Sequence, residues 1–265
     1  MTLASHGNAW ACLMYHDTPP LEATDYFSVT GPSLERQLAQ MRASTLHGQT
    51  LESILGSAEN RSVVDKSVAI TFDDGYLSNY EIALPLLAAQ GATATIFVVT
   101  SWVGTKGYCG WSELRALQQA GWSIQSHTRS HPFLSQLSES EVRAELETSK
   151  QDLEQHLGTP VVTLSLPNGD YPRKPLDRLI QESGYQWVAT SRWGANGLAQ
   201  VAAREIRRYT VRHHTTAGQF AHIAGGRSTS LSPEGLRLSL LSVVRRTLGP
   251  KLYQSLRNAT LSILE

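Results

Sequence analysis

The sequence predicts an α/β fold, an irregular barrel of about seven strands with helices on its outside. Short apolar runs rich in Val, Ile, Thr and aromatic residues alternate with segments of helical period. This alternation favours a mostly parallel sheet. Residues able to do chemistry follow several different strands, and a barrel brings such strand ends together on one face. An open doubly wound sheet stays open as the alternative.

Apolar runs bounded by Gly, Pro, Asp or Ser are the predicted strands, because these boundary residues favour turns. The long helix predicted over 138–158 begins with a capping box of Ser138 and Glu141. Two shorter helices are expected to end at Gly91 and to begin with Ser112 as N-cap. The strand runs are 11–15, 67–72, 92–99, 122–126, 161–166, 185–190 and 204–211.

Composition argues against several classes of protein. Lys and Arg together number 23, as do Asp and Glu, so the zero net charge gives no attraction to nucleic acid. Cys12 and Cys109 are too few for a disulfide scaffold and favour a reducing compartment. The N-terminus lacks the pattern of a signal peptide, and no run approaches the roughly 20 apolar residues of a membrane span. A cytoplasmic protein without a transmembrane segment is therefore expected.

The character of the chain changes near Leu231. The segment 231–265 predicts one or two helices broken at Gly249 and Pro250, with more basic than acidic residues. We interpret 1–230 as the barrel and 231–265 as a C-terminal helical extension. Packing of this extension on the barrel is favoured, and a peripheral contact with a partner protein or a membrane surface stays open.

Four side chains predict a metal centre. Asp73 and Asp74 follow the strand 67–72, and His127 and His131 follow the strand 122–126. Histidines four residues apart share one face of a helical turn and can reach one cation, with Asp74 as a third ligand. One Asp and two His leave positions open for water and substrate, as in catalytic sites. Zinc is favoured, and cobalt, nickel or iron stay open.

The second acid has a role of its own in this interpretation. Two adjacent carboxylates repel each other, and burial makes each one costly unless it is neutralised. If Asp74 binds the cation, Asp73 remains free to accept a proton from water. A bound metal lowers the pKa of its water from about 16 towards 7, so a carboxylate is a sufficient base.

These motifs resemble a known family. TFDDG at 71–75 and HTRSH at 127–131 are similar, in order and separation, to the first two motifs of the polysaccharide deacetylases, the NodB-homology domain of carbohydrate esterase family 4. The stretch ACLMYHD, which includes His16, resembles the first strand of the branch containing the biofilm poly-N-acetylglucosamine deacetylases. The resemblance covers about residues 9–225.

The resemblance implies a distorted (β/α)₇ barrel of the NodB-homology type and a divalent metal. It also implies hydrolysis of an N-acetyl, sometimes O-acetyl, group on a sugar. Carried over residue by residue, it makes Asp73 the base and Asp74, His127 and His131 the ligands. This agrees with the assignment made from the residues themselves.

The third family motif fits less well. The family usually has Arg-x-Pro followed by an aromatic residue and Gly, whereas this chain has Ser165, Leu166, Pro167, Asn168 and Gly169. The backbone N–H of Asn168 can still donate to an oxyanion, because that donor needs no particular side chain. The aromatic wall and the arginine that orients the base are missing, so an ordinary loop stays open.

An arginine from a later strand is expected to replace the missing one. Arg207 and Arg208 face opposite ways in a strand, and the resemblance to the branch's Arg-Ile-x-Val pattern favours Arg208. The proton donor to the leaving amine is assigned to His213, because Val211-Arg212-His213 resembles the family's Leu-x-His motif. The alternatives for this role are His16, His214 and His222.

The expected activity is metal-dependent removal of N-acetyl groups from a polysaccharide, an oligosaccharide or a lipid-linked sugar, with a place in exopolysaccharide biosynthesis. A deformylase or cyclic-amide hydrolase of the same fold stays open. So does a non-catalytic member that binds sugar or a partner. Indole and phenol rings stack on sugar faces, so one or two aromatic residues are expected to line a groove. The candidates are Trp102, Tyr108, Trp111 and Trp193.

Overall fold

A single curled sheet of nine strands organises the computed structural model, which describes residues 9–59, 66–171 and 175–227. All strand pairs in the sheet are parallel. The strands are β1 (Ala11–Tyr15), β2 (His47–Gln49), β3 (Ser67–Phe72), β4 (Thr95–Val98), β5 (Ser123–Ser126), β6 (Thr163–Ser165), β7 (Trp187–Ala189), β8 (Glu205–Ile206) and β9 (Tyr209–Thr210).

The order across the sheet is β8-β7-β6-β5-β4-β3-β1-β9. β2 pairs with the first half of β3, whose second half pairs with β4. Six of the predicted strands are confirmed, most of them shorter than expected. β2 was not predicted, because three residues with polar His47 and Gln49 at the ends carry no apolar period.

The prediction of one strand over 204–211 is wrong in an instructive way. The segment forms two short strands, β8 and β9, separated by Arg207 and Arg208. β8 pairs with β7 at one end of the sheet, and β9 pairs with β1 at the other. The segment therefore joins the two ends of the curled sheet. This arrangement is the distorted barrel that the sequence predicted, and the open sheet is not observed.

Helices cover the outside of the sheet and one of its ends. The prediction of a long helix is confirmed: Ser138 caps its first turn, Glu141 completes the capping box, and Gly158 ends it with a left-handed φ of 70°. The helices of the described residues are α1 (Gly31–Ala43), α2 (Leu51–Glu59), α3 (Leu84–Ala88), α4 (Trp111–Gln119), α5 (Glu139–Leu157), α6 (Leu176–Glu182), α7 (Leu198–Ala202) and α8 (Ala217–Ala224).

The starts of two helices have features that the sequence did not predict. Gly110, not Ser112, is the N-cap of α4, because its backbone N–H donates to the Glu113 carboxylate at 2.8 Å. The helix expected to end at Gly91 begins as a π-helical turn over Asn79–Ala83 and continues as α3. A proline follows this turn and cannot donate an N–H to the preceding turn, which favours such a local change of period.

The core has two parts, one on each face of the curled sheet. The larger part packs the outer helices against outward-facing residues of the strands. The smaller part fills the inside of the barrel, where Cys12, Ala69 and Phe97 meet Leu51 and Leu55 of α2. α2 therefore closes one end of the barrel with apolar side chains. The polar residues of the candidate site lie towards the other end, where the strands terminate.

Two further predictions concern a C-terminal extension and the lack of a membrane span. The C-terminal extension predicted over 231–265 lies outside the described residues. Among the helices that are described, none combines the length and the apolar character needed to cross a membrane.

Candidate active site

The two aspartates follow β3 directly at the carboxyl end of the barrel. The backbone N–H of Asp73 donates to the Tyr15 carbonyl at 2.9 Å, which continues the pairing of β3 with β1 by one residue. Asp74 then adopts a left-handed φ of 75°. The chain turns sharply between the two carboxylates. As a result they meet different neighbours although they are adjacent in sequence.

Asp73 forms a buried ion pair with Arg208. The guanidinium donates to Asp73 Oδ1 at 2.6 Å and to Oδ2 at 2.9 Å, and the arginine side chain is fully buried. Bidentate pairs of this kind fix the orientation of a carboxylate. Burial acts to raise the pKa of Asp73, but the charges of Arg208 and His127 outweigh it and hold the pKa well below its usual range.

Arg208 is itself held from several directions. Its Nε donates to the Thr190 carbonyl at 3.1 Å, and its Nη2 donates to Ser165 Oγ at 2.8 Å. The prediction that Arg208 rather than Arg207 points inward is confirmed. Arg207 instead lies against Gly194, and its backbone bonds to Asn196. The inward arginine has its donors on fixed acceptors, so it cannot easily leave Asp73.

Asp74, His127 and His131 form the candidate metal centre. Asp74 Oδ1 lies 3.4 Å from His127 Nε2 and 3.6 Å from His131 Nε2. One ligand atom from each residue can be chosen so that all lie within 4.8 Å of one another. Donor atoms about 2.1 Å from a tetrahedral cation are about 3.4 Å apart, so the observed spacing suits such an ion.

The chemistry of the donors also fits a cation. Asp74 Oδ1 is buried and accepts no hydrogen bond from any residue that the structure describes, an arrangement that is costly for a carboxylate unless a cation meets it. Burial acts to raise the pKa of Asp74, but its contact with His127 and the charge of His16 outweigh burial and lower the pKa. The carboxylate is thus kept ionised and available as a ligand.

His127 and His131 each direct Nε2 towards Asp74 Oδ1. His127 Nδ1 lies 2.9 Å from the Ser165 carbonyl, so Nδ1 carries the proton and Nε2 faces Asp74. Burial acts to lower the pKa of His127, but Asp73 and Asp74 raise it overall. A cation bound at Nε2 would take the place of the second proton that the charged ring carries there. Burial and the charge of His127 lower the pKa of His131 to about 4, so its ring is neutral near pH 7.

Four of the seven described non-glycine residues with a positive φ lie in the loops of the site. Asp74, Thr128, His131 and Asn168 all have positive φ values, between 57° and 75°. Side chains other than glycine rarely adopt this conformation, and such residues cluster at functional sites. The strain is therefore an independent indication that these loops are built for a purpose other than connecting strands.

The third motif has a role that the sequence analysis missed. Ser165, which stands where the family has arginine, places its hydroxyl 3.3 Å from Asp73 Oδ2 as well as accepting from Arg208. Its carbonyl also orients His127. Pro167 is buried, and Asn168 occupies a strained turn after β6. Only the position of Ser165 at a strand end could have signalled its role, because a serine there has many ordinary explanations.

The candidate proton donors are placed differently from one another. His16 follows β1, and its charge acts on Asp73, Asp74 and His131. His213 is exposed and lies beside Tyr26, with ring centroids 6.1 Å apart. The assignment of His213 as acid stays a prediction. The remaining alternatives, His214 and His222, are exposed as well.

Together, the fold and the site define an α/β barrel with a candidate metal centre at the carboxyl ends of its strands. The family model for polysaccharide deacetylase matches residues 60–188. The match confirms, for residues 60–188, the resemblance to the polysaccharide deacetylases that the two motifs indicated.

Two curated relatives and one solved structure illustrate the similarity. YxkH of Bacillus subtilis is 33% identical over 144 residues, 54% of this chain and 51% of that protein. The peptidoglycan-N-acetylglucosamine deacetylase of Bacillus cereus is 30% identical over 128 residues, 48% of this chain and 57% of that protein. The matches thus span only about half the length of these relatives.

The Streptococcus pyogenes deacetylase PplD, solved in complex with acetate, superimposes with a TM-score of 0.75. The superposition covers 82% of this chain and 99% of that one, at 22% identity. At that identity the likeness concerns the fold, and it confirms the distorted barrel.

Proposed function

We propose that the protein is a metal-dependent deacetylase that hydrolyses the N-acetyl groups of a carbohydrate. One observation carries this proposal. The carboxylate of Asp73 accepts two hydrogen bonds from Arg208. The next residue, Asp74, has an oxygen, Oδ1, that faces the imidazole nitrogens of His127 and His131. An ionised base next to a cation-binding cluster is the arrangement that amide hydrolysis by activated water requires.

The residues divide the work of hydrolysis. A divalent cation held by Asp74, His127 and His131 supplies Lewis acidity to the site. Asp73 accepts the proton of the attacking water, and its Oδ2 lies 3.9 Å from His127 Nε2, beside the ligand cluster. The charges of Arg208 and His127 hold the pKa of Asp73 low, so the carboxylate is ionised and able to accept that proton.

The remaining steps concern the oxyanion and the amine. The strained turn at Asn168, next to the buried Pro167, offers a backbone N–H to the oxyanion, a donor that needs no particular side chain. A histidine then protonates the departing amine, and acetate is the second product. His213 is the predicted donor, and His16, whose charge acts on both aspartates, is an alternative.

The substrate class is supported by the relatives and by the buried arginine. One relative is named a peptidoglycan-N-acetylglucosamine deacetylase, and the similar fold of PplD was solved with acetate. The inward position of Arg208 is the feature expected from the resemblance to the biofilm-type branch. We therefore propose an N-acetylated sugar, such as N-acetylglucosamine in a polymer, as substrate.

The test is a screen for acetate release from N-acetylglucosamine oligomers, peptidoglycan fragments and N-acetylated monosaccharides, with and without a chelator. Release that is abolished by the chelator and restored by zinc or cobalt is expected. Formate is measured in parallel over N-formyl sugars. If only formate is released, or if no substrate is hydrolysed by protein shown to contain metal, the proposed activity is wrong.

A paired substitution identifies the acid. His16→Gln and His213→Gln remove one imidazole each, and general acids contribute about 10²–10⁴-fold to turnover. The variant that loses turnover on amides while keeping its metal content identifies the donor. If the two variants retain wild-type kcat, neither histidine protonates the amine.

A further inference from the structure

A cleft lies on the outer face of the sheet, between α6, β7 and the turn that leads from α7 into β8. We refer to it as the outer cleft. Its volume is about 490 Å³, within the range of about 300–1,000 Å³ that is usual for sites of small molecules. Three of its lining residues are buried in the outer core, namely Ile180, Tyr185 and Val188.

Three arginines line the outer cleft: Arg192, Arg204 and Arg207. Arg192 is engaged, since its Nη1 donates to Glu205 Oε1 at 2.7 Å and its guanidinium lies over the Tyr171 ring, 5.7 Å from the centroid. Among the residues that the structure describes, no carboxylate lies within ion-pair distance of Arg204 or Arg207. Two guanidinium groups therefore face the cleft without an internal counter-ion from the described chain.

The carboxylates that line the outer cleft have donors of their own. Asp177 accepts the hydroxyl of Tyr171, and Glu205 accepts Arg192. Three guanidinium charges thus meet two carboxylates that are already hydrogen-bonded. A concave surface lined by an excess of one charge attracts ions of the opposite sign, so the outer cleft favours an anion.

The backbone at Arg207 is held firmly. Its N–H donates to Asn196 Oδ1 at 2.8 Å, and its carbonyl accepts Asn196 Nδ2 at 2.9 Å. Asn196 itself is buried. The Arg207 side chain passes closely over Gly194, where a Cβ atom would lie only 3.2 Å from Arg207 Cδ. A side chain that leaves a fixed backbone through such a narrow passage loses less freedom when a ligand binds.

Arg204 lies in a strained turn at the rim of the outer cleft. It has a left-handed φ of 55°, which residues other than glycine rarely adopt. Its carbonyl accepts the N–H of Val188 at 2.9 Å, and its N–H donates to the Val201 carbonyl at 3.0 Å. These bonds fix the turn from which the exposed Arg204 side chain reaches the cleft.

The lining indicates the chemical class of the ligand. Guanidinium groups match phosphate, because the planar fork can donate to two phosphate oxygens at once. Three glutamines also line the cleft, Gln181, Gln186 and Gln200, and a side-chain amide can both donate to and accept from a hydroxyl. A phosphate group attached to a molecule that carries hydroxyls uses both kinds of lining residue, whereas a free phosphate ion uses only the arginines.

We propose that the outer cleft binds a phosphate monoester of a sugar or polyol, with Arg204 and Arg207 on the phosphate. The site is separate from the candidate active site, because Arg207 lines the outer cleft whereas its neighbour Arg208 is buried on Asp73. The two sites are joined through the backbone, since the N–H of Arg208 donates to the Arg192 carbonyl at 2.9 Å. The inference does not depend on the proposed deacetylase function.

The test is titration calorimetry on the full chain at constant ionic strength. The probes are glucose 6-phosphate, glycerol 3-phosphate, inorganic phosphate and glucose. We expect saturable binding of an ester, weaker binding of inorganic phosphate and no binding of glucose. Arg204→Gln and Arg207→Gln are each expected to weaken ester binding about tenfold, since a hydrogen bond to a charged group is worth at least that factor.

Two control variants separate the outer cleft from other positive charge. Arg115→Gln removes an exposed arginine of α4 that does not line the cleft, and Asp74→Ala removes a candidate metal ligand. Both are expected to bind the ester as the wild type does, and circular dichroism checks that every variant is folded. The proposal is overturned if no ester binds saturably or if inorganic phosphate binds as tightly as the esters. Wild-type affinity in both Arg204→Gln and Arg207→Gln, or a loss confined to Asp74→Ala, overturns it as well.

Discussion

The two sides of the Asp73–Asp74 step have opposite environments. On the inner side, Asp73 receives Arg208 on both oxygens and Ser165 on one of them. On the outer side, Asp74 Oδ1 accepts no hydrogen bond within the described part of the chain and lies 3.4 and 3.6 Å from two imidazole nitrogens. A carboxylate with hydrogen bonds on both oxygens is thus followed directly in the chain by one with an oxygen that has none from the described residues.

This difference shows how the fold assigns roles to identical side chains. Fixed donors hold Asp73 ionised and oriented, which is what the proposed role as a base needs. The absence of donors leaves Asp74 with a buried charge that favours a cation. Each of the following substitutions alters one side and leaves the other intact.

The largest effect is expected for Asp74→Ala. Because this substitution removes the acceptor that both histidines face, we expect loss of stoichiometric metal and of turnover down to background. Metal analysis of the purified variant, alongside Asp152→Ala on the outer helix α5, measures this. Full metal content in Asp74→Ala contradicts the ligand assignment.

Asp73→Asn is expected to keep its metal, with reduced stability because Arg208 loses its charged partner, while kcat falls by about 10²–10⁴-fold, the usual contribution of a general base. Asparagine retains the shape of the side chain but cannot accept the proton. Metal content and acetate release on the same preparation separate this effect from ligand loss. Turnover near the wild-type rate shows that another group is the base.

Arg208→Met tests the ion pair between Asp73 and Arg208 by its effect on the free energy of unfolding. Removing one partner of a buried ion pair leaves the other charge uncompensated, which costs about 3–5 kcal/mol in the free energy of unfolding. Denaturant unfolding of Arg208→Met measures this loss. Arg207→Met, which replaces a half-buried arginine, is the control. Adding Asp73→Asn is expected to recover part of it, since the uncompensated charge is then gone. Strictly additive losses mean that the pair is not coupled.

The smallest effect is expected for Ser165→Ala. The substitution removes one hydroxyl from Arg208 and Asp73, worth about 0.5–1.5 kcal/mol of unfolding free energy. The carbonyl that orients His127 remains, so metal content is expected to be unchanged. A variant that loses its metal indicates that the hydroxyl also supports the cation side.

Much of the barrel could be predicted from local pattern. The strands 11–15 and 67–72 match β1 and β3 to the residue, and the capping box at Ser138 begins α5 as expected. Apolar runs with clear boundaries and capping residues act within a few positions of themselves, so they can be recognised without the fold. The segment 204–211 failed because two pairing partners at opposite ends of the sheet divide it.

By itself, the sequence determined which side chains follow which strands. The order of the motifs was enough to expect Asp74, His127 and His131 round one cation, since parallel strands end on one face of a barrel. The resemblance directed attention to Arg207 and Arg208, and alternation along a strand allowed only one of them to point inward.

Only the tertiary structure decided how those side chains are paired. The Asp73 contacts with Ser165 and Arg208 span 92 and 135 residues of sequence, and no local pattern encodes contacts of that range. The loops after β3 and β4 likewise meet through the bridge between Tyr76 and Tyr108. Curling of the sheet brings these distant segments within hydrogen-bonding distance. The contacts made there give Asp73 and Asp74 different environments.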